Sequence, residues 1–275
     1  MAIDVGRIGV FGRDFLPELA PQIEALGYGA IWIGGSPPGD LVVIEQLLDA
    51  TERIVVATGI VNMWSVSAAV AAASYQRIEA RHPGRLLLGV GIGHPEVRAE
   101  YRSPLDTIAS YLDKLDAEGV PADRRILGAL GPKVLRVAGQ RTLGAHPYLT
   151  IPEHTRAARA LLGAGPLLAP EHKVVLDTEV ERARAVGRER LLNPYLGLSN
   201  YRRSLLSLGF TEQDLDTASD RLVDALTLHG DVDTVAAGVT AHLDAGADHV
   251  AVQFLTADGD RLPGIRSLAK ALSLR

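Results

Sequence analysis

A histidine stands in the segment Gly91-Ile92-Gly93-His94-Pro95-Glu96, directly after the apolar run Arg85 to Gly91. An imidazole at the end of a strand titrates near neutrality, so it can hydrogen-bond or protonate a bound ring; the plainer alternative is a histidine that caps its own loop. Three other clusters follow apolar runs in the same way. Asn62-Met63-Trp64-Ser65 offers an apolar wall and an amide to a planar ligand, or else a rim aromatic that only covers the core. Gly128-Ala129-Leu130-Gly131-Pro132 leads small residues into a helix, where main-chain N–H groups and the positive helix end can receive an anion and Lys133 adds a full charge. The same residues are also ordinary turn chemistry. Pro147-Tyr148-Leu149-Thr150 precedes a further helix, and Thr150 there either holds a phosphate or serves as the N-cap.

Other chemistries find little support. There is no cysteine, which removes disulfides and thiolate nucleophiles. His146 and His154 have no carboxylate at a metal-like spacing and read as polar rim histidines, so no metal site is expected. No GxSxG elbow, P-loop or HExxH occurs. A glycosidase needs two acids at strand ends, and Asp177 alone fits that position. The pairs Glu179/Glu181 and Asp214/Asp216 read as solvated helix faces.

The elements that must position these clusters alternate. Ile8 to Phe11, Ala30 to Ile33, Ile54 to Val61, Arg85 to Gly91, Arg125 to Ala129 and Ala145 to Leu149 read as strands, with Lys173 to Asp177 the seventh and His249 to Phe254 the eighth. Between them fall helices from Asp14, from Leu41 to Thr51, from a Ser65 cap to Arg81, from Pro104 with Ser103 as cap to Glu118, and from Pro132 to Leu143. A final helix runs from Leu262 to Leu272. Thr178 to Gly246 reads as a helical insertion plus the ordinary seventh helix. An α/β chain of this kind closes as a (β/α)8 TIM barrel, a fold of roughly 250 residues, so one domain spanning 1–275 is expected, with a helical insertion between strands seven and eight. A doubly wound sheet uses the same alternation, but no dinucleotide fingerprint follows the first strand. In a barrel, ligands meet the carboxyl ends of the strands, which is where the four clusters stand.

Bulk properties bound the partners. A net charge of −5 gives no basic field for nucleic acid. The apolar runs are too short to span a bilayer, and Met1 to Arg13 has no signal-peptide pattern. A cytoplasmic protein with a small-molecule ligand is the expectation.

Taken in order, Ala30 to Gly34, Ile54 to Trp64, RLLLGVGIGHPE at Arg85 to Glu96, GALGPK at Gly128 to Lys133 and GAHPYLTIPEHT at Gly144 to Thr155 resemble the luciferase-like monooxygenase superfamily. Within it, the chain is most similar to the probable coenzyme F420-dependent oxidoreductases. The resemblance spans essentially the whole chain and implies a barrel binding a deazaflavin (coenzyme F420), or less often FMN, at the carboxyl ends of its strands. It implies a bulge, often with a non-proline cis peptide, at Gly59-Ile60 with Val61 and Asn62 beside it, backing the ring. It implies a phosphate held by amides at Leu130 and Gly131, next to Ala129, and it places His94 where relatives make a polar contact to the ring. A homodimer through the helices near strands two to four is implied as well. Members that oxidise sugar phosphates carry an acid and histidine pair after strand two; this chain has Gly34-Gly35-Ser36-Pro37 there, which speaks against that substrate.

The resulting expectation is an oxidoreductase that transfers a hydride between a deazaflavin and a small organic substrate, with His94 and Tyr148 as the catalytic candidates. An FMN-dependent monooxygenase and a non-catalytic cofactor-binding barrel are the alternatives. The loops show few ionic anchors, which points to a neutral substrate.

Overall fold

Short strands rich in Val, Ile, Leu and Gly alternate with helices that keep an apolar face. A computed structural model describes residues 3–93 and 103–275. Strand β1 (Ile8–Gly12) is followed by a 3-10 turn (Pro17–Leu19) and α1 (Ala20–Ala25), then β2 (Ala30–Gly34), α2 (Val42–Asp49), β3 (Val55–Gly59), β4 (Val61–Asn62), α3 (Ala68–Arg81) and β5 (Leu86–Gly91). Next come α4 (Pro104–Ala117), β6 (Arg125–Leu127), α5 (Pro132–Arg141), β7 (Gly144–Ala145), α6 (Pro152–Leu162), β8 (Leu167–Leu168) and β9 (Glu171–Val175). The remainder is α7 (Val180–Leu192), α8 (Ser199–Ser207), α9 (Glu212–Thr217), α10 (Asp220–Leu226), β10 (Thr227–His229), α11 (Val232–Asp244), β11 (Val250–Phe254) and α12 (Leu262–Ala271).

Every strand pairing is parallel, in the order β10-β9-β11-β1-β2-β3-β5-β6-β7-β8, with β4 on β5. The sheet closes on itself because residues 167–175 serve two neighbours. On one side Leu167, Ala169 and Glu171 donate their N–H groups to Leu143, Ala145 and Pro147; on the other, β9 runs in register with β11 from Glu171↔Ala251 to Val174↔Phe254. Counting β3 with β4 and β8 with β9, and leaving aside the short β10 on the flank of β9, the barrel has the eight staves read from the sequence.

Alternation along each stave sorts the core into two layers. In β5, Leu86, Leu88 and Val90 face outward into the large cluster under the helices, while Leu87 faces inward with Phe11, Ala30, Trp32, Val55, Ala57, Ile126 and Ala251. Gly89 is required here: an added Cβ would lie 1.8 Å from the Thr58 carbonyl oxygen, and Thr58 Oγ1 donates to the Gly89 carbonyl across 2.7 Å. A third apolar cluster, including Leu191, Tyr195, Leu205, Leu215 and Leu222, lies under the insertion formed by α7 to α10.

Four local readings need correction. The first helix is shorter than expected, and Leu16 is 62% exposed. Ser67, not Ser65, caps α3, accepting from the Val70 N–H, whereas Ser65 Oγ donates to the Asn62 carbonyl. The seventh stave begins well before Lys173, because Glu171, His172 and Lys173 are buried strand residues that a hydrophobic pattern does not register. The insertion also holds β10, a short strand paired with Lys173–Val175. The Ser103 cap with Pro104 in the first turn is as expected. No helix among the described residues is long and apolar enough to cross a membrane.

Candidate active site

The carboxyl ends of four neighbouring staves carry glycine where side chains would otherwise fill the mouth. Added Cβ atoms at Gly34 and Gly59 would each strike the Phe11 ring, at 2.4 and 2.7 Å, and those at Gly91 and Gly128 would meet the Ile60 side chain at 2.9 and 3.2 Å. Phe11 and Ile60 therefore form a shared floor over a glycine-lined ring of strand ends. The peptide between Gly59 and Ile60 is cis and non-prolyl, at the position implied by the sequence resemblance. Asn62, two residues beyond Ile60, accepts the Trp64 N–H on Oδ1 at 2.9 Å and so turns its amide back on its own loop.

The second candidate region, after β6, is open. Gly131 is the N-cap of α5 with no side-chain cap, and nothing lies within 4 Å of where its Cβ would be. The first N–H groups of a helix lack intrahelical acceptors, and the helix end carries partial positive charge. His154 braces the loop by donating Nε2–H to the Leu130 carbonyl across 2.9 Å, leaving Nδ1 without a partner. Burial lowers its pKa, which keeps it neutral. Lys133 is exposed beside this helix start.

Not all expected residues share the mouth. Val61 and Ala129 point into the outer core under the helices. Thr150 is 1% exposed and does not cap α6, whose N-cap is Ile151. His94 lies outside the described residues. His146 and His154 are buried, not on the rim. Among the described residues no cluster of three or more His, Cys, Asp or Glu could hold a metal.

His146 instead lies in the barrel, stacked on Trp32 with ring centroids 4.3 Å apart and planes 14° apart. Nδ1 is 2.7 Å from the Ala169 carbonyl and so carries the proton. Nε2 is then a buried acceptor without a partner, 3.1 Å from the Cβ position of Gly59. Burial pushes the His146 pKa down to about 4. Trp32 Nε1–H donates to His249 Nε2 at 2.9 Å, and His249 Nδ1–H donates to the Gly6 carbonyl, so this ring is neutral too.

The tyrosines at the mouth form a directed chain. Tyr148 Oη is 2.8 Å from Tyr195 Oη and 3.1 Å from Gln253 Oε1. Each phenol has one proton and an amide oxygen can only accept, so Tyr195 donates to Tyr148 and Tyr148 to Gln253. Tyr195 Oη accepts from Arg13 Nη2 at 3.0 Å and Arg190 Nη2 at 3.3 Å. Beneath lies Lys173 Nζ, 4.0 Å from the Tyr148 ring centroid and 3.1 Å from Glu171. Burial, then the neighbouring Glu171 carboxylate, holds the Tyr148 pKa well above its ordinary value, so its hydroxyl keeps its proton.

A cavity of about 390 Å³ opens beside this chain, between the carboxyl ends of β1 and β11 and helix α7. Arg13, Arg190 and Gln253 line it, and Phe11 belongs both to its wall and to the floor over the glycines. Sequence reasoning placed none of its site residues in this cavity. Arg13 directly follows β1, and that strand-end position is its one sequence signal; nothing local marks Tyr195 or Arg190 inside a polar helical stretch.

A model of the luciferase-like monooxygenase family matches residues 8–116. No curated protein matches the sequence. Among solved structures, the chain is similar to an F420-dependent secondary alcohol dehydrogenase in complex with an F420-acetone adduct, with a TM-score of 0.76 and 14% identity over 98% of this chain and 99% of that one. It is similar also to the coenzyme F420-dependent tetrahydromethanopterin reductase of Methanopyrus kandleri, TM-score 0.69 and 16% identity over 99% of this chain and 100% of that one. The oxygenating constituent of 3,6-diketocamphane monooxygenase from Pseudomonas putida, in complex with FMN, gives TM-score 0.69 and 16% identity over 98% of each chain. These structures share the barrel fold of this chain, and the family model matches its first part, as the sequence resemblance implied.

Proposed function

We propose that this luciferase-like barrel is an oxidoreductase that passes a hydride between a deazaflavin of the coenzyme F420 type and a small organic substrate. The observation behind this reading is the glycine at four adjacent strand ends, Gly34, Gly59, Gly91 and Gly128, over a floor made by Phe11 and Ile60. Glycine at these four strand ends lets Phe11 and Ile60 lie close against the backbone, and the low apolar surface they make can back a flat group at the face where barrels do chemistry. When bound, the ring supplies a carbon that exchanges a hydride, two electrons with one hydrogen, with the substrate.

The protein's own part is to bind, orient and hold a proton. Ile60 and Phe11 back the ring, while Trp64, half-buried after β4, walls one side. The N–H groups at Leu130 and Gly131 receive the anionic tail at the uncapped start of α5, with Lys133 adding charge nearby. On this reading Tyr148, which keeps its proton through the neutral range, protonates an oxygen or nitrogen of the substrate, with Tyr195 and Gln253 fixing its hydroxyl.

Titration of the purified protein with oxidised coenzyme F420 and, separately, with FMN tests the reading by quenching of cofactor fluorescence. Saturable F420 binding tighter than that of FMN is the expected result. Preference for FMN with oxygen-consuming turnover would transfer the protein to the monooxygenase reading, and indifference to both cofactors would leave only a barrel.

A further inference from the structure

The cavity between β1, β11 and α7 carries more positive charge than its own carboxylates balance. Three guanidiniums line it, those of Arg13, Arg190 and Arg261, against the carboxylates of Asp14 and Glu189. Arg261 is paired with Asp14 at 2.6 Å. Among the described residues, Arg13 and Arg190 have no carboxylate within ion-pair distance; both turn to the single oxygen of Tyr195. Glu189 is exposed and bonds neither of them. Arg190 Nε is buried without a hydrogen-bond partner, while its guanidinium lies 5.4 Å from the Tyr195 ring centroid. Behind the tyrosines the Lys173–Glu171 pair adds one charge of each sign, so the excess at the mouth stands.

Two guanidiniums converging on one neutral oxygen repel each other, and a buried N–H left unbonded costs free energy. An anion between them relieves both. Guanidinium forks match the two oxygens of a carboxylate, and Val186, Phe254 and Leu255 give the same cavity an apolar wall. We propose that this cavity receives the carboxylate of a substrate with an apolar body, clamped by Arg13 and Arg190. Its assignment to the substrate rests on the oxidoreductase reading, since Phe11 borders both the cavity and the floor. On this proposal the substrate is an acid, where the loop composition pointed to a neutral molecule.

The test uses benzoate and its neutral isostere benzamide, titrated calorimetrically into the protein without cofactor. Benzoate is expected to bind about tenfold or more tightly than benzamide, because only the anion engages the charged forks. Arg190→Gln and Arg13→Gln are each expected to weaken benzoate by about tenfold to a hundredfold, the value of a hydrogen bond to a charged group, and to leave benzamide unchanged. Arg13 is exposed, so its variant decides the matter even if Arg190→Gln fails to fold. Equal binding of acid and amide, no binding of benzoate, or benzoate affinity untouched in both variants would overturn the proposal. Repeating the titration with saturating coenzyme F420 separates the possible sources of the carboxylate. Unchanged benzoate affinity is expected, whereas displacement of benzoate would give the cavity to the cofactor's own acidic tail and overturn the substrate assignment. Failure of F420 to bind removes the oxidoreductase reading alone, and the titration of the free protein still decides whether the cavity holds an anion.

Discussion

Lys173 Nζ lies 3.1 Å from both oxygens of the Glu171 carboxylate, and neither side chain has exposed surface. The two residues stand two apart on β9, which puts both inside the barrel. Burial raises the Glu171 pKa while Lys173 opposes the shift. Lys173→Met leaves a buried carboxylate alone and is expected to cost about 3–5 kcal/mol of unfolding free energy, whereas Glu171→Leu combined with Lys173→Met costs less. Urea unfolding of the two variants checks this; a single variant as stable as the double would show that the pair is not what secures this stave.

Five histidines share one fate. His146, His154, His172, His242 and His249 all have pKa values lowered chiefly by burial, His146, His242 and His249 to about 4. The unfolded chain binds protons near 6.5, the ordinary value, while the folded chain resists until about 4. Their contribution is thus complete above pH 6.5 and is lost as the pH falls through the window between these values, at up to about 1.4 kcal/mol per pH unit for each group. Glu171, with its pKa raised, works against this slope as one group against five. Asp214, lowered to about 2 mainly by the Ser219 hydroxyl, acts only at lower pH. Unfolding free energies measured at pH 7, 5.5 and 4.5 should fall steeply; a flat series would contradict the neutral buried imidazoles.

Gly131→Asp separates stability from binding. The position has an extended backbone with φ −82°, lacks a cap hydrogen bond and has open space around it. An Asp N-cap is expected to add about 0.5–1 kcal/mol to stability. The same carboxylate would occupy the amides proposed for the cofactor's anionic tail, so F420 affinity should fall at least tenfold. Calorimetric melting and fluorescence titration read the two effects independently. A more stable protein with undiminished F420 affinity would move the tail elsewhere.

Tyr148→Phe removes one hydroxyl and leaves Tyr195 and Gln253 in place. If Tyr148 delivers the proton, kcat should fall by about a hundredfold or more with little change in KM. The wild-type kcat should show no titration assignable to this phenol below pH 10, since its pKa is raised. Steady-state kinetics on both proteins decides between this role and mere packing, under which kcat would be kept.

Much of the barrel was legible because its determinants are local. Buried parallel strands need continuous apolar runs, helices need caps, and both leave marks such as Arg85 to Gly91 and Ser103-Pro104. The strand ends that face the mouth followed from that order. What escaped was where charge is buried. Glu171-His172-Lys173 forms strand because Lys173 meets its counterion inside the barrel, and a hydrophobic pattern assigns such residues to the surface.

The sequence alone determined the alternation of strand and helix, the glycine at the strand ends and the uncapped start of α5, since each depends on neighbours a few residues away. Tertiary structure decided that Val61 and Ala129 face the outer core, that His146 lies under the mouth, and that Arg13 reaches Tyr195 across 182 residues of chain. Closing the barrel brings the first stave against the eighth and lays α7 over both, so side chains with no shared sequence signal come to surround one cavity.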